Sequence, residues 1–582
     1  MTGRRVAVAL VLLALLVAAR GLERHTTWYL ASDQFAFLTQ ADDLRHGRVF
    51  HDPGEFAALA SNVPPGQTAD AYYQTYLWRD GRLFSRYPPG FPLLLALAAL
   101  VGGPSAQHLL NPLLYLVLLA ALALLTHRLL SGARHGIPDA AAAAAPWALL
   151  VIPAEVHYWG LTVARDLPAH LLAIGALAAA CASRFSLAGL ALGLACAIRP
   201  DAILYSFSLG ALALVRRARI GDLTRGSLAF LAGVAPLLAY NTITQGHPLA
   251  FTQGMEFRNL FGAAPAAPHI ATADALPDLP LTSGGGFRLS NLPQVLPANL
   301  RYLAGAFGLF LLPALGVALR RRLMAAALVP YVLAAVLFFS CWGHGDARYQ
   351  VGVVLALLIL MAAGTSSWCA TLAKPTLRVP TRLGLIALTV LAVVAAPAVF
   401  PFQEQRRSLE VAAGAGAALV GAAALVPVAT PAAAAIGPLV PALAFATVGL
   451  TRMMRGAGTR DPFQAAQVAR ARATLESVLS PGALVFTTPA LGRPAENITY
   501  YTHAEALYDG ETAFLNSSNQ EAARRWQASG GRVFLLQPGD APRLPGLTEV
   551  ARRSGPQLYD WFVDPSHTTD AVLLEVETLP KP

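Results

Sequence analysis

Uninterrupted apolar runs of about 15 to 22 residues recur between Val6 and Leu450 and then stop. Each is close to the roughly 20 residues that carry a helix across a hydrocarbon core. The pattern predicts an α-helical polytopic membrane protein, with about 13 transmembrane helices if Val411 to Leu450 is two spans broken at Pro431. Residues 1–455 form this membrane domain and residues 456–582 a soluble one. A long first loop, 20–107, holds the apolar run Phe91 to Val101 between Pro88-Pro89 and Gly102-Gly103-Pro104. About eleven residues cannot span, so that run reads as an interfacial or re-entrant helix. Spans are expected at His108 to Leu130 and Leu167 to Ser183, and a second long loop at 241–299, with Gly284-Gly285-Gly286 as its flexible point. The Ala-rich tract Ala140 to Ala145 reads as a close-packing helix surface. In the tail, Leu484 to Thr487 and Val533 to Leu536 read as strands and Gln520 to Ala528 as an amphipathic helix, giving a small α/β domain.

Composition agrees: 55% of the 582 residues are hydrophobic and only 13% charged, too little polar surface for a soluble globule. The net charge of +10 is uneven. From Asp461 onward 10 basic side chains face 14 acidic ones, leaving the membrane part 33 against 19. The excess Arg lies in short turns, at Arg128 and Arg134, Arg184, Arg216 to Arg225, Arg320 to Arg322 and Lys374 to Arg382, where positive charge sets orientation. Nucleic acid is therefore not an expected partner. With Arg4 and Arg5 inside, the loop 20–107 and the tail are exported, whether the run Val6 to Ala19 is a retained helix or a cleaved signal. Arg406 and Arg407 disagree with this scheme. The four cysteines suggest no disulfide framework, and the sequons Asn497-Ile498-Thr499 and Asn516-Ser517-Ser518 read as chance in an Ala- and Leu-rich, bacterial-looking chain.

Charged groups at membrane depth are costly and mark sites or paired structural ions. In this topology they gather on the outer face. Asp33 follows the first span and opens a segment in which Phe35, Phe37, Leu38, Ala41 and Leu44 form an apolar face suited to lying on the bilayer; capping that helix is its alternative role. Asp42 and Asp43 stand on the same segment. Arg165-Asp166 opens the span beginning at Leu167, where Asp166 either pairs with Arg165, caps the helix or serves a site. Arg199-Pro200-Asp201 reads as an interfacial anchor. Arg348, in Cys341-Trp342-Gly343-His344-Gly345-Asp346-Ala347-Arg348-Tyr349, suits a lipid phosphate because guanidinium offers forked donors. His344 with Asp346 is the one pairing that invites a metal, and satisfied loop polars are the more economical reading of it.

Four motifs in order resemble the C-type (GT-C) membrane glycosyltransferases, the superfamily of protein O-mannosyltransferases, oligosaccharyltransferases and the lipid A aminoarabinose transferase. They are Ser32-Asp33-Gln34-Phe35, Arg86-Tyr87-Pro88-Pro89-Gly90, Arg165-Asp166-Leu167-Pro168 and Arg348-Tyr349 before an apolar helix. Asp-Gln stands where several members have Asp-Glu, which leaves a divalent cation open as cofactor and assigns no metal ligand. The resemblance implies an enzyme of the bacterial cytoplasmic membrane with an extracytoplasmic tail. It would transfer a hexosyl or pentosyl group, with inversion, from a polyprenyl-phosphate donor to a glycan, lipid or protein acceptor. In that reading Asp33 is the general base and Asp166 orients the acceptor or a cation. Arg348 and Arg165 neutralise the lipid phosphate, and Tyr349, His344, Asp346 and Asp43 complete the substrate site. A multi-span transporter or flippase and a non-catalytic envelope assembly factor are the rival classes; a transporter predicts inverted repeats and midplane charges.

Overall fold

The structure, a computed structural model, describes residues 28, 30, 32–52, 68–71, 76–79, 82–130, 162–249, 288–307, 316, 318, 320–342, 347–372, 465–492, 494–502, 504–508, 517–542, 545–563, 565 and 568–577. The first span, Ala140 to Ala145, Gly284 to Gly286, His344, Asp346, Asn516 and the expected spans between 373 and 464 lie outside the described residues. Two compact units divide the chain. One comprises Met1–Arg24, Asn111–Leu161 and Arg165–Thr459; the other His25–Leu110, Thr162–Ala164 and Arg460–Pro582.

In the second of these, helix α1 (Ser32–Arg45) has Asp33 in its first turn and Arg45 in its last, the charge order that the helix dipole favours. Its expected apolar face packs on protein. Phe35, Phe37, Leu38 and Ala41 are buried, but so are Gln34, Gln40 and Asp43, so protein surrounds the helix on most sides. Phe37 meets Tyr87 and Phe91 edge-on at 4.9 and 5.2 Å. Three short strands, β1 (Thr68–Ala71), β2 (Tyr76–Arg79) and β3 (Arg82–Ser85), form an antiparallel meander that the hydrophobic pattern did not announce. Tyr87-Pro88-Pro89 then leads into α2 (Gly90–Gly102), which stops at Gly103 with φ 73°. With 13 residues α2 is too short to span, and Leu97, Leu100 and Val101 on it are exposed.

The helical unit follows. Its elements are α3 (Ser105–Leu130) from Asn111 onward, α4 (Asp166–Cys181), α5 (Phe185–Ile198), α6 (Tyr205–Val215), α7 (Ile220–Gln245), α8 (Leu292–Phe307), α9 (Arg322–Ser340) and α10 (Val351–Leu372). Helices α7 and α8 thus enter the expected 241–299 loop from both sides. Among the described residues three helices are long and apolar enough to cross a membrane, within α3, α7 and α9. Leu109, Leu113 and Val117 make an exposed stripe on α3, and Leu333 and Leu337 one on α9, as lipid-facing helices require.

Helices α5 and α7 pack through glycine. A Cβ on Gly189 would land on the carbonyl of Gly226, one on Gly193 on that of Phe230, and one on Gly233 on that of Leu190. Gly189 and Gly193 are four apart, the small-xxx-small spacing that lets membrane helices touch backbone to backbone. Pro330 interrupts α9, and the adjoining N–H of Tyr331 donates to Ser208 Oγ on α6 at 3.1 Å, a side-chain repair of a proline-broken helix. Arg128 near the end of α3 donates to the carbonyl of Ala178 near the end of α4 at 2.9 Å, so these two helices end together.

The tail carries α11 (Ala465–Glu476), β4 (Leu484–Thr487), α12 (Pro494–Tyr501), β5 (Glu505–Tyr508), α13 (Ser517–Ala528), β6 (Val533–Pro538), β7 (Leu547–Ser554) and β8 (Asp570–Val576). Sheet order is β5-β4-β6-β8-β7; β5, β4 and β6 are parallel, β8 and β7 antiparallel. The two expected strands and the expected helix are β4, β6 and α13. Strand β4 is buried at every position and β6 at all but its last, as fits strands covered on both faces.

Candidate functional site

Asp166, the first residue of α4, is fully buried. Neither of the simple local roles holds: Arg165 makes no side-chain cap, and the partners of Asp166 come from far along the chain. Arg199, just past the end of α5, reaches one carboxylate oxygen; the other accepts a hydrogen bond from Arg348 Nε at 2.9 Å. Arg199 also pairs with Asp201 through Nε, at 2.8 Å. Four ends converge here: the starts of α4 and α6, the finish of α5 and the turn before α10. Arg199-Pro200-Asp201 is accordingly no interfacial anchor. Arg199 is only 4% exposed and sits inside the ion cluster. The opposite ends of α3, α4 and α6 carry Arg128, Arg184, Arg216 and Arg217, so the cluster stands at the end away from that positive belt.

Tyr349 walls the cluster. Its ring stacks on Phe339 at 5.3 Å, lies 5.9 Å from Trp342, and has the Arg199 guanidinium 5.7 Å from its centroid. Below Asp166 by one helical turn, His170 Nδ1 meets the Tyr205 hydroxyl at 3.1 Å, and Tyr205 stacks on Tyr331 at 3.6 Å. Gly352 in α10 makes room for both the Tyr331 hydroxyl and the His170 ring, since a Cβ there would collide with them. Arg165 is buried at the same helix start. Sequence reasoning missed Arg199, His170, Tyr205 and Tyr331. A polar residue closing one apolar run and opening the next was the available signal for Arg199, and the i, i+4 spacing from Asp166 was that for His170; nothing local marked the tyrosines.

In the other unit, the Tyr87 hydroxyl donates a short hydrogen bond to Asp33 Oδ1. Tyr87 is itself held, its N–H donating to Ser85 Oγ at 3.2 Å and its carbonyl accepting from Gln40 Nε2 at 3.5 Å. The four sequence motifs therefore meet in pairs: the first with the second through Asp33 and Tyr87, the third with the fourth through Asp166 and Arg348. Asp43 is used within its own loop, 2.8 Å from His51 Nδ1 and 3.1 Å from Arg48 Nη2. Among the described residues no group of three or more His, Cys, Asp or Glu side chains could hold a metal ion. Around Asp166 the donor set does not suit a divalent cation, because both carboxylate oxygens already face guanidinium groups.

No family model matches the sequence, and no curated protein matches it. Solved structures do. ArnT from Cupriavidus metallidurans bound to undecaprenyl phosphate is similar with a TM-score of 0.56 at 16% identity, over 99% of this chain and 99% of that one. The apo form of the same protein gives 0.53 at 17% identity, over 99% and 98%. The apo oligosaccharyltransferase of Archaeoglobus fulgidus gives 0.45 at 12% identity, over 91% and 69%. The ArnT likeness shows the fold alone: over nearly its whole length this chain is folded like ArnT from Cupriavidus metallidurans.

Proposed function

We propose that this chain transfers a sugar from a polyprenyl-phosphate donor to an acceptor at the outer face of the cytoplasmic membrane, inverting the anomeric centre. The observation that carries the reading is the buried Asp166 with a guanidinium on each oxygen. Arg165, Arg199 and Arg348 gather with Asp166 and Asp201 at the end of a helical bundle. Guanidinium groups are forked donors suited to a lipid phosphate, and fixed donors in a dry site stabilise charge that grows during reaction. ArnT from Cupriavidus metallidurans, whose fold this chain shares, has been seen with undecaprenyl phosphate, which supports the same donor class.

In this reading the acceptor's O–H or N–H gives its proton to Asp33 while the acceptor atom attacks the anomeric carbon. The bond from that carbon to the phosphate oxygen breaks, and the electron pair leaves on the lipid phosphate beside Arg348. Tyr87 holds the Asp33 carboxylate in place without neutralising it. Asp166 orients Arg348 and Arg199, so its own contribution is to aim positive charge. The exported placement of the tail and the choice of a hexosyl or pentosyl group belong to the same proposal. Membranes containing the wild-type chain, Asp33→Asn or Arg348→Ala, supplied with radiolabelled polyprenyl-phosphate sugars, test it. Transfer by wild type with at least a hundredfold loss in both variants is expected. Wild-type membranes that transfer from no such donor would favour the transporter or assembly roles.

A further inference from the structure

The tail helix α12 grips the main chain just ahead of Asp33. Asn497 on it is 0% exposed, and its side-chain amide makes two hydrogen bonds to one residue: Leu30 N–H donates to Oδ1 at 2.9 Å, and Nδ2 donates to Leu30 C=O at 2.9 Å. One turn later on the same face, the Tyr501 hydroxyl donates to Trp28 C=O at 2.7 Å. The Trp28 ring is fixed as well, stacked on His108 at 4.1 Å with 11° between planes, while Tyr501 stacks on Phe562 at 5.6 Å within the tail core. Leu30 is followed three residues later by Asp33, in the first turn of α1.

We propose that Asn497 is a positioning residue for Asp33: the tail fixes the backbone leading into α1 from one side while Tyr87 holds the carboxylate from the other. The inference rests on Asp33 being the base, and it gives the tail a task inside the reaction. A buried amide that serves as both donor and acceptor leaves two main-chain groups unsatisfied when it is lost, so the segment must shift to find water. A shift of about 1 Å at a reacting group costs up to about a hundredfold in rate.

The experiment compares wild type, Asp33→Asn, Asn497→Ala and Tyr501→Phe, purified as full chains. It uses a polyprenyl-phosphate sugar donor for kinetics and amide hydrogen exchange for structure. Expected for Asn497→Ala are a kcat lower by about 10- to 100-fold and an unchanged KM for the donor. Exchange protection should be lost at Leu30 and kept across β4 and β6. Wild-type kcat in Asn497→Ala, with Asp33→Asn inactive, overturns the inference and leaves the base assignment standing. Full activity of Asp33→Asn overturns the base assignment itself. If Asn497→Ala loses protection in β4 and β6, Tyr501→Phe decides by the same criteria, since it removes one hydrogen bond and keeps the ring.

Discussion

Asp166 and Asp33 are both carboxylates at helix starts, and the structure treats them in opposite ways. Asp166 is wholly buried and faces a guanidinium on each oxygen; Asp33 is half-buried and accepts from a neutral phenol. A carboxylate gripped by two fixed cations is an anchor, because taking a proton would strand both charges. The contrast teaches that an acidic residue at a helix start says little until its partners are known; the aiming role goes to Asp166 by its two cations, and the proposed base role to Asp33 by its motif.

The strongest way to break the contrast is to exchange the roles. Asp33→Asn should lower transfer by about 10²- to 10⁴-fold, the range for removing a general base, with normal membrane insertion and expression; a loss under tenfold sinks the assignment. Next comes Arg199→Ala, which should act first on the fold. It leaves Asp166 with one cation and Asp201 without its near partner, and breaking a buried pair costs about 3–5 kcal/mol. Thermal melting in detergent checks it, and an unchanged Tm would mean the cluster is not structural. Arg348→Lys keeps the charge but loses the fork, so a fall of about tenfold in kcat with little change in melting is expected. Tyr87→Phe should be milder still. The carboxylate of Asp33 loses a donor to its charged form, so the acidic limb of the pH–rate profile should move to higher pH.

A pH effect of a different origin completes the series. Burial pushes the hydroxyls of Tyr500 and Tyr501 above the ordinary phenol range, with Tyr500 adding to the rise at Tyr501. Because the folded values are the higher ones, their contribution is complete below the unfolded value of about 10 and declines as pH rises past it. Protection at Leu30 should therefore fade above about pH 10 before the β4 and β6 amides exchange. Simultaneous loss would show that the clasp and the sheet melt as one.

Much of the fold could be read because apolar runs carry their own length. Ser105–Leu130 matches a run beginning at His108, and α4 begins one residue before the expected Leu167. What escaped was whatever depends on distance across the fold. Arg199 looks like an anchor in the sequence, since nothing local says that the finish of α5 meets the start of α4. Helix α1 has a convincing lipid-type face, yet Gln34, Gln40 and Asp43 are buried too, and periodicity cannot tell a lipid neighbour from a protein one. Strands β1 to β3 lack the unbroken apolar run that marked β4, which is equally short. Glycines at 189, 193, 226 and 233 sit in apolar runs without comment until their carbonyl neighbours are seen. The motif residues Asp33, Tyr87, Asp166 and Arg348 were legible as a set through their order, whereas their pairing was not.

The buried clasp at Asn497 bears on how the protein should be produced. Asn497-Ile498-Thr499 is an acceptor sequence, and enzymes that modify such sequences act on chains before they fold. In a eukaryotic secretory host, a tail delivered to the lumen would receive a glycan on the very amide that must later hold Leu30, and the loop and tail could not join. A bacterial host without that modification is the one suited to material for kinetics.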